Sequence, residues 1–155
     1  KTIFFSSHIL PDVEMICVGL SKPRLAHFGL TTHHYISDED VIAQAKLENS
    51  TRAVQAMRKA HRLCKLDGAI VGIGNAPTAL IELVRLIKEE GVRPALVVAM
   101  PVGFVSAAES KDLMMTVNDV PWVAIKGRKG GSTLVVAAIH AMLSLAEAEQ
   151  NKQAA

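Results

Sequence analysis

The chain has 155 residues, of which 50% are apolar and 4% aromatic, and its formal net charge at pH 7 is +2. This length predicts one domain, residues 1–155, with enough chain for a substantial core. The small charge and the few aromatic side chains argue against a nucleic-acid partner. No apolar run reaches the length of a membrane span and no signal peptide is recognisable, so we expect a cytoplasmic protein without a membrane partner.

The first forty residues contain short apolar runs that are typical of strands. One region combines Ile3–Phe5 with Ile9–Leu10, and the other covers Thr31–Ile36. Between them, Asp12 begins an amphipathic stretch that stops at Gly19.

A long helix is predicted next, ending at about Cys64. Ser37 is a good N-cap, and the three carboxylates of residues 38–40 favour the first turn of a helix. Apolar residues then recur at helical spacing, namely Val41, Ala45, Ala53, Met57 and Ala60.

Strands and helices alternate in the second half of the chain. The continuous apolar runs 68–74, 95–100 and 121–125 predict strands that are covered on both faces. A helix from Pro77 to Gly91 follows the first run, and Ser106 with Glu109 reads as the capping box of the next helix. The last helix is predicted over 131–148, and the polar tail 149–155 is expected to fray. Its apolar face is predicted to comprise Val135, Ile139, Met142 and Leu145.

This alternation predicts a three-layer α/β/α fold with a mainly parallel sheet. Loops 74–78, 101–111 and 127–132 each follow a predicted strand. Loops of this kind lie at the carboxyl edge of a parallel sheet, where ligands bind, so we predict one shared site. Backbone N–H groups, Arg128 and Lys129 suit an anionic ligand there. A bulky residue at Gly130 or Gly131 is expected to block binding without unfolding the chain.

Several motifs have both a structural and a functional interpretation. The run from Gly72 to Pro77 is an imperfect dinucleotide fingerprint, because Pro replaces the third Gly, and it reads equally as a tight turn. Glu109 can be interpreted either as part of the capping box or as a ligand contact. Arg52 reads as an exposed mid-helix residue. His33 and His34 have no third ligand at metal spacing, so no metal site is predicted. The residues alone assign no reaction.

Taken together, the loops resemble the precorrin-8X methylmutase family of cobalamin biosynthesis. The matching runs are 74–80, 101–105, 107–111 and 127–132, in order and with fitting spacing. Upstream, Asp12-Val-Glu-Met15 with Gly19 and Ser21 resembles the family's Asp-x-x-Met segment. Ser50-Thr-Arg52 resembles its helix-borne Asn-Thr-Arg. The resemblance covers about residues 9–145.

The resemblance implies an isomerase. A methyl group would move between adjacent carbons of a precorrin ring, a macrocycle edged with carboxylates, to give a corrin such as hydrogenobyrinate or cobyrinate. Positioning and one proton donor can suffice for an intramolecular shift, so no external cofactor is expected. The family also implies a homodimer with the substrate between the subunits.

Carried over residue by residue, the motifs imply substrate-binding positions at Asp12, Ser21, Arg52, Asn75, Pro77, Thr78, Gly103, Glu109, Ser110, Arg128, Gly130, Gly131 and Ser132. The family's proton-donating histidine lies in an N-terminal segment that nothing in this chain matches. Either the chain is N-terminally incomplete, as we expect, or it is an atypical homologue that lacks this residue. In both cases the chain is expected to be a poor catalyst by itself, and the catalytic residue stays unassigned. His33 or His34 is the fallback donor.

Two alternatives stay open at this point. One is a non-catalytic tetrapyrrole-binding homologue, and the other is a nucleotide-binding α/β domain that uses Gly72–Pro77. Whether the substrate carries cobalt is not decided by the sequence.

Overall fold

The computed structural model describes residues 2–7 and 10–153. The strands within this part of the chain are β1 Thr2–Ser7, β2 Thr31–His33, β3 Ile70–Asn75, β4 Leu96–Ala99 and β5 Trp122–Ala124. The helices are α1 Leu10–Gly19, α2 Lys22–His27, α3 Glu39–Leu47, α4 Arg52–Arg62, α5 Pro77–Glu89, α6 Ala107–Met114 and α7 Ser132–Gln153.

All the described strands form one parallel sheet in the order β2-β1-β3-β4-β5. Apolar residues alternate between the two faces of the sheet, so Phe4 belongs to one core while Ile3 and Phe5 belong to the other. Helices α4 and α5 cover the first face, and α1 and α7 cover the second. The predicted three-layer α/β/α fold with a parallel sheet is confirmed.

The strand order creates a topological switch point between β1 and β3. The chain leaves β1 through α1 on one face to reach β2, and it leaves β3 through α5 on the other face to reach β4. A crevice opens between the carboxyl ends of two strands whose connections diverge in this way, and ligands of open α/β sheets bind there.

The predicted long helix is in fact two helices. It breaks at residues 48–51, where Asn49 has a left-handed φ of 48° and Thr51 caps the start of α4. The side chain of Thr51 accepts a hydrogen bond from the backbone N–H of Val54 at 3.2 Å. The predicted start was also wrong by one residue, since Asp38 rather than Ser37 is the N-cap of α3.

Other boundaries differ from the sequence prediction. Leu10 begins α1 rather than a strand, helix α2 was not anticipated, and β2 is shorter than predicted. His8 and Ile9 lie outside the described residues.

Helix α7 does not end at Ala148 but continues to Gln153, so most of the tail that was expected to fray is helical. Its buried stripe is Val135, Ile139 and Leu143, whereas Leu145 is exposed.

With 22 residues and a mean hydropathy of 1.3 over its most apolar window, α7 could cross a membrane by length and composition alone. The expectation that no segment has this property was therefore wrong. The core helix of a soluble protein passes the same test, but such a helix is mostly buried, whereas only 22% of this window is. A single helix of this kind is weak evidence for a membrane span.

Candidate active site at the carboxyl edge of the sheet

The three loops meet at the carboxyl edge of the sheet, as predicted. The backbone N–H of Val102 donates to the carbonyl of Gly74 at 3.3 Å, and that of Gly103 donates to the carbonyl of Arg128 at 3.3 Å. The N–H of Gly131 donates to the carbonyl of Met100 at 2.9 Å. These bonds connect residues 74–78, 101–106 and 127–132 into one unit, which we call the loop cluster.

Side chains extend this unit to two further helices. Asn75, at the end of β3, donates from Nδ2 to Oδ2 of Asp12 in the first turn of α1 at 2.6 Å. This bond bridges the β1/β3 switch point. The hydroxyl groups of Thr78 and Thr51 lie 3.1 Å apart, which brings the start of α4 next to the start of α5.

A cavity of about 380 Å³ lies against the loop cluster. It is lined by Asn75, Pro77, Thr78, Val102, Gly103, Phe104, Val105 and Ser106. The side chains of Phe104 and Val105 are 86% and 81% exposed, and the guanidinium of Arg128 lies 5.8 Å from the centre of the Phe104 ring. The site therefore presents an apolar surface beside a positive charge.

Arg52 lines a second depression, of about 530 Å³, together with Ile42, Ala45, Lys46, Asn49 and Ser50. The sequence interpretation of Arg52 as a mid-helix residue was wrong, because the chain breaks before it and Arg52 is the first residue of α4. Its neighbour Thr51 touches Thr78, so Arg52 is placed close to the loop cluster. Among the described residues, neither Arg52 nor Lys46 has an ion-pair partner.

Two glycines of the loop cluster, Gly74 and Gly130, are required by close packing, and so is Gly72 just before it. A Cβ on Gly130 would overlap the backbone carbonyl of Met100, and a Cβ on Gly74 would lie 2.7 Å from the Cα of Ser132. A Cβ on Gly72 would lie 2.8 Å from Val135. Backbone atoms cannot yield easily, so replacing Gly130 would displace the loop itself. This argues against the expectation that a substitution of Gly130 would only block a ligand. A Cβ on Gly131 would meet nothing within 4 Å, so the expectation for that position stays a prediction.

The same packing removes the main support for a dinucleotide fingerprint. In that motif, glycines leave room for a pyrophosphate at the backbone. Here α7, through Ser132 and Val135, fills the space beside Gly72 and Gly74.

The predicted capping box of α6 does not form. Ser106 is the N-cap residue, but it has a left-handed backbone, with φ 59° and ψ 5°, and its side chain makes no capping bond. Glu109 is exposed and Ser110 is fully buried, with its hydroxyl donating to the carbonyl of Ala107 at 3.1 Å. Glu109 is therefore not engaged by Ser106, and Ser110 lies beneath the surface.

Three other predicted residues are not brought into contact with the loop cluster. Ser21 is the N-cap of α2, beyond the far end of α1. His33 lies on the edge strand β2, and its ring contacts Thr31 and Tyr35. Burial, Lys65 and His34 lower the pKa of His33, which makes it a poorer proton donor near neutral pH. Nδ1 of His34 is buried and has no partner within the described part of the chain.

Some features of the site were missed by the sequence reasoning. Lys111 ends the matching run 107–111 and is assigned no role by the sequence, although its side chain is fully buried and its ammonium donates to the carbonyl of Lys129 at 2.7 Å. The hydroxyl of Ser132 is buried without a partner among the described residues. The pairing of Asp12 with Asn75 depends on the strand order, which local sequence patterns do not specify. Across residues 2–7 and 10–153, no three His, Cys, Asp or Glu residues are grouped to hold a metal ion.

Comparison with known proteins shows where this architecture occurs. The family model for precorrin-8X methylmutase matches residues 3–145. A cobalt-precorrin-8 methylmutase from Leptospira interrogans is 50% identical over 142 residues, which is 88% of this chain and 64% of the relative. One from Priestia megaterium is 50% identical over 147 residues, which is 95% of this chain and 64% of the relative.

A solved structure agrees with the sequence comparisons. The precorrin-8X methylmutase of Thermus thermophilus superposes with a TM-score of 0.82 at 46% identity, over 94% of this chain and 66% of that protein. The chain therefore spans about two thirds of the length of the proteins it matches. The match of the family model over nearly the whole sequence, on a site of this geometry, shows that the chain belongs to the precorrin-8X methylmutase family.

Proposed function

We propose that this chain forms the substrate-holding part of an isomerase of cobalamin biosynthesis. The reaction moves a methyl group between adjacent carbons of a precorrin ring and yields a corrin, hydrogenobyrinate or cobyrinate. One observation carries the proposal. In a chain that matches the family model over residues 3–145, the loop cluster forms at the carboxyl edge of the sheet, and Asn75 joins it to Asp12 across the β1/β3 switch point.

The chemistry of the site fits a flat macrocycle edged with carboxylates. Val102, Phe104 and Val105 offer apolar surface for the ring system. Arg52, Arg128 and Lys129 are exposed and have no ion-pair partner among the described residues, so they are available for the carboxylates. Charge-assisted hydrogen bonds from such groups are stronger than neutral ones.

The predicted substrate-binding positions fit this role to different degrees. Asn75, Pro77, Thr78 and Gly103 line the cavity directly. Asp12 orients Asn75 through its hydrogen bond. Gly131 and Ser132 lie at the start of α7, where the helix dipole favours an anion. We propose that these residues hold the substrate while the methyl group migrates.

An intramolecular shift needs correct positioning and one proton transfer rather than an external cofactor. The protein would hold the ring so that the methyl group leaves one carbon as it bonds to the adjacent one. A donor would lend a proton that is given up again, because substrate and product are isomers. No proton donor is assigned within the described residues. His33 and His34 are candidates only as replacements for the family's proton-donating histidine. Changing each to Asn and measuring turnover tests them, since a true donor would be worth about 10²–10⁴ in rate.

We further propose that the protein is a homodimer in the cytoplasm, with substrate between the subunits. The apolar side chains of Phe104 and Val105 are exposed in the single chain. An exposed apolar patch of this kind supports the proposal that a second subunit or the substrate covers it in the working enzyme. Light scattering of the purified protein with and without a corrinoid checks this, and a monomer under both conditions would contradict it.

The decisive experiment supplies cobalt-precorrin-8 and, separately, metal-free precorrin-8X to the protein that carries this chain. We expect the absorption of the corrin product to appear. The cobalt form is the first to test, because two relatives named for that substrate are each 50% identical. Binding without turnover would support a non-catalytic tetrapyrrole-binding homologue instead. Binding of a nucleotide but no corrinoid would support a nucleotide-binding domain.

A further inference from the structure

Lys111 has an unusual position for a lysine. It lies in the middle of α6, and its side chain is fully buried, with 0% exposure. Lysines are almost never fully buried unless they have a partner. Its Nζ donates to the carbonyl of Lys129 at 2.7 Å, which is the only hydrogen bond it makes within the described part of the chain. The buried ammonium is therefore paired with that carbonyl alone among the described groups.

The carbonyl of Lys129 belongs to the loop between β5 and α7. Two backbone bonds already hold this loop, from Gly103 to the carbonyl of Arg128 and from Gly131 to the carbonyl of Met100. Both connect it to the segment that follows β4. The bond from Lys111 comes instead from helix α6, and within the described part of the chain it is the one hydrogen bond from a side chain to the backbone of residues 127–131.

We propose that Lys111 is a positioning residue that fixes the 127–131 loop and thereby presents Arg128 and the amino end of α7 to the substrate. The first half, fixing the loop, is independent of the reaction, and the second half rests on the proposed function. Without the ammonium, the Lys129 carbonyl loses a charged donor that is roughly twice as strong as a neutral one. The loop would then sample open positions more often.

Trypsin provides a direct measurement, because Arg128 and Lys129 are exposed cleavage sites within this loop. The test variant is Lys111→Met, which keeps the length of the side chain and removes the donor. The matched control is Lys88→Met, because the ammonium of Lys88 also donates a hydrogen bond, to Thr116 Oγ1 at 2.6 Å, but on the exposed surface. Circular dichroism and the melting temperature establish that each variant is folded.

We expect cleavage after Arg128 and Lys129 to be about tenfold faster or more in Lys111→Met, because a hydrogen bond to a charged group changes an opening equilibrium by that order. Lys88→Met should match the wild type at these sites. With precorrin substrate, the KM of Lys111→Met should rise more than its kcat falls. A purely structural role would lower the melting temperature and leave the loop sites and KM unchanged.

A folded Lys111→Met variant with wild-type cleavage at the loop would overturn the proposal. If that variant does not fold, Lys111→Gln is measured in the same way. Failure of both to fold would show that Lys111 supports the whole domain rather than this loop, and would also overturn the proposal. Faster loop cleavage supports the loop role even if no precorrin is turned over, so failure of the proposed reaction is distinguishable.

Discussion

The loop cluster and the outer surface of α4 and α5 use charged residues in opposite ways. On α4 and α5, Glu82 is only 6% exposed and lies between two arginines, with Arg58 Nε at 2.8 Å and Arg85 at 2.8 Å. Arg85 also reaches Glu90, and Arg58 also reaches Glu48. We call these five residues the ion network. In the loop cluster, by contrast, backbone bonds hold the loops together and Arg128 has no carboxylate partner among the described residues.

This difference indicates what each region does. Burial opposes ionisation of Glu82, but hydrogen bonds from Arg85 and Arg58 outweigh it and lower its pKa. Its carboxylate in turn raises the pKa of Arg85. The charges of the ion network thus satisfy one another and stabilise the fold. The cations near the loop cluster have no such partners among the described residues, so they are available to the anionic ligand that we propose. Five experiments test this contrast.

The largest effect is expected from Gly130→Ala in the loop cluster. The new methyl group would overlap the Met100 carbonyl, and because that atom belongs to the backbone the loop must move. We expect a loss of about 3 kcal/mol in the free energy of unfolding, as for severe overpacking, together with loss of corrinoid binding. Chemical denaturation and a binding titration measure the two effects.

The control for this prediction is Gly127→Ala in the same loop. Gly127 has a φ of 81°, and a Cβ there would meet nothing within 4 Å. Only backbone strain of about 1 kcal/mol is expected. If both variants lose the same free energy of unfolding, the close contact with Met100 is not the reason that position 130 needs a glycine.

A smaller loss, roughly 2 kcal/mol, is expected from Glu82→Gln in the ion network. Removing one member of a buried pair usually costs more, but both arginines are partly exposed and solvent screens them. Glu89→Gln, which removes an exposed partner of Arg85, should change stability by less than about 0.5 kcal/mol. Neither change should alter corrinoid affinity.

The stability difference between the wild type and Glu82→Gln is expected to depend on pH. Because the pKa of Glu82 is lowered on folding, its contribution is complete above its ordinary value of 4.5 and is lost as the pH falls through the folded-state pKa. The stability difference between wild type and Glu82→Gln should therefore shrink below about pH 4.5. A difference that is constant from pH 7 to pH 3 would contradict the assignment.

The sequence predicted the second half of the fold better than the first. The buried run before Gly74 and the proline at position 77 located β3 and α5 closely, because apolar length and proline are strong local signals. The break between α3 and α4 was missed, because the apolar positions continue through it at helical spacing. Asn49 in a left-handed conformation and the cap by Thr51 override that periodicity.

The location of the site was predictable, but several of its contacts were not. Alternation of strands and helices was enough to place the three loops at one edge. The bond between Asp12 and Asn75 requires knowing that β1 and β3 are neighbours. The burial of Lys111 could not be inferred, since a lysine in a polar loop-to-helix segment normally lies in solvent.

A further prediction concerns the junction of the two regions, where α4 begins. Thr51→Val keeps the shape of the side chain but removes the cap to Val54 and the bond to Thr78. We expect a loss of about 1.5 kcal/mol in stability. Thr78→Val removes only the bond between the two hydroxyls, so its smaller loss separates the cap from the contact. Identical losses would show that the cap contributes nothing.

The most direct test of the central claim compares the two ends of α4. Arg52 and Arg62 are the first and last residues of this helix, both are exposed, and neither has an ion-pair partner among the described residues. Only Arg52 lies near the loop cluster. In a titration with cobyrinate, Arg52→Gln should weaken binding by about tenfold, roughly 1.4 kcal/mol, and Arg62→Gln should leave it unchanged. Equal affinities for the wild type and both variants would contradict the claim that the unpaired cations at the carboxyl edge bind the substrate.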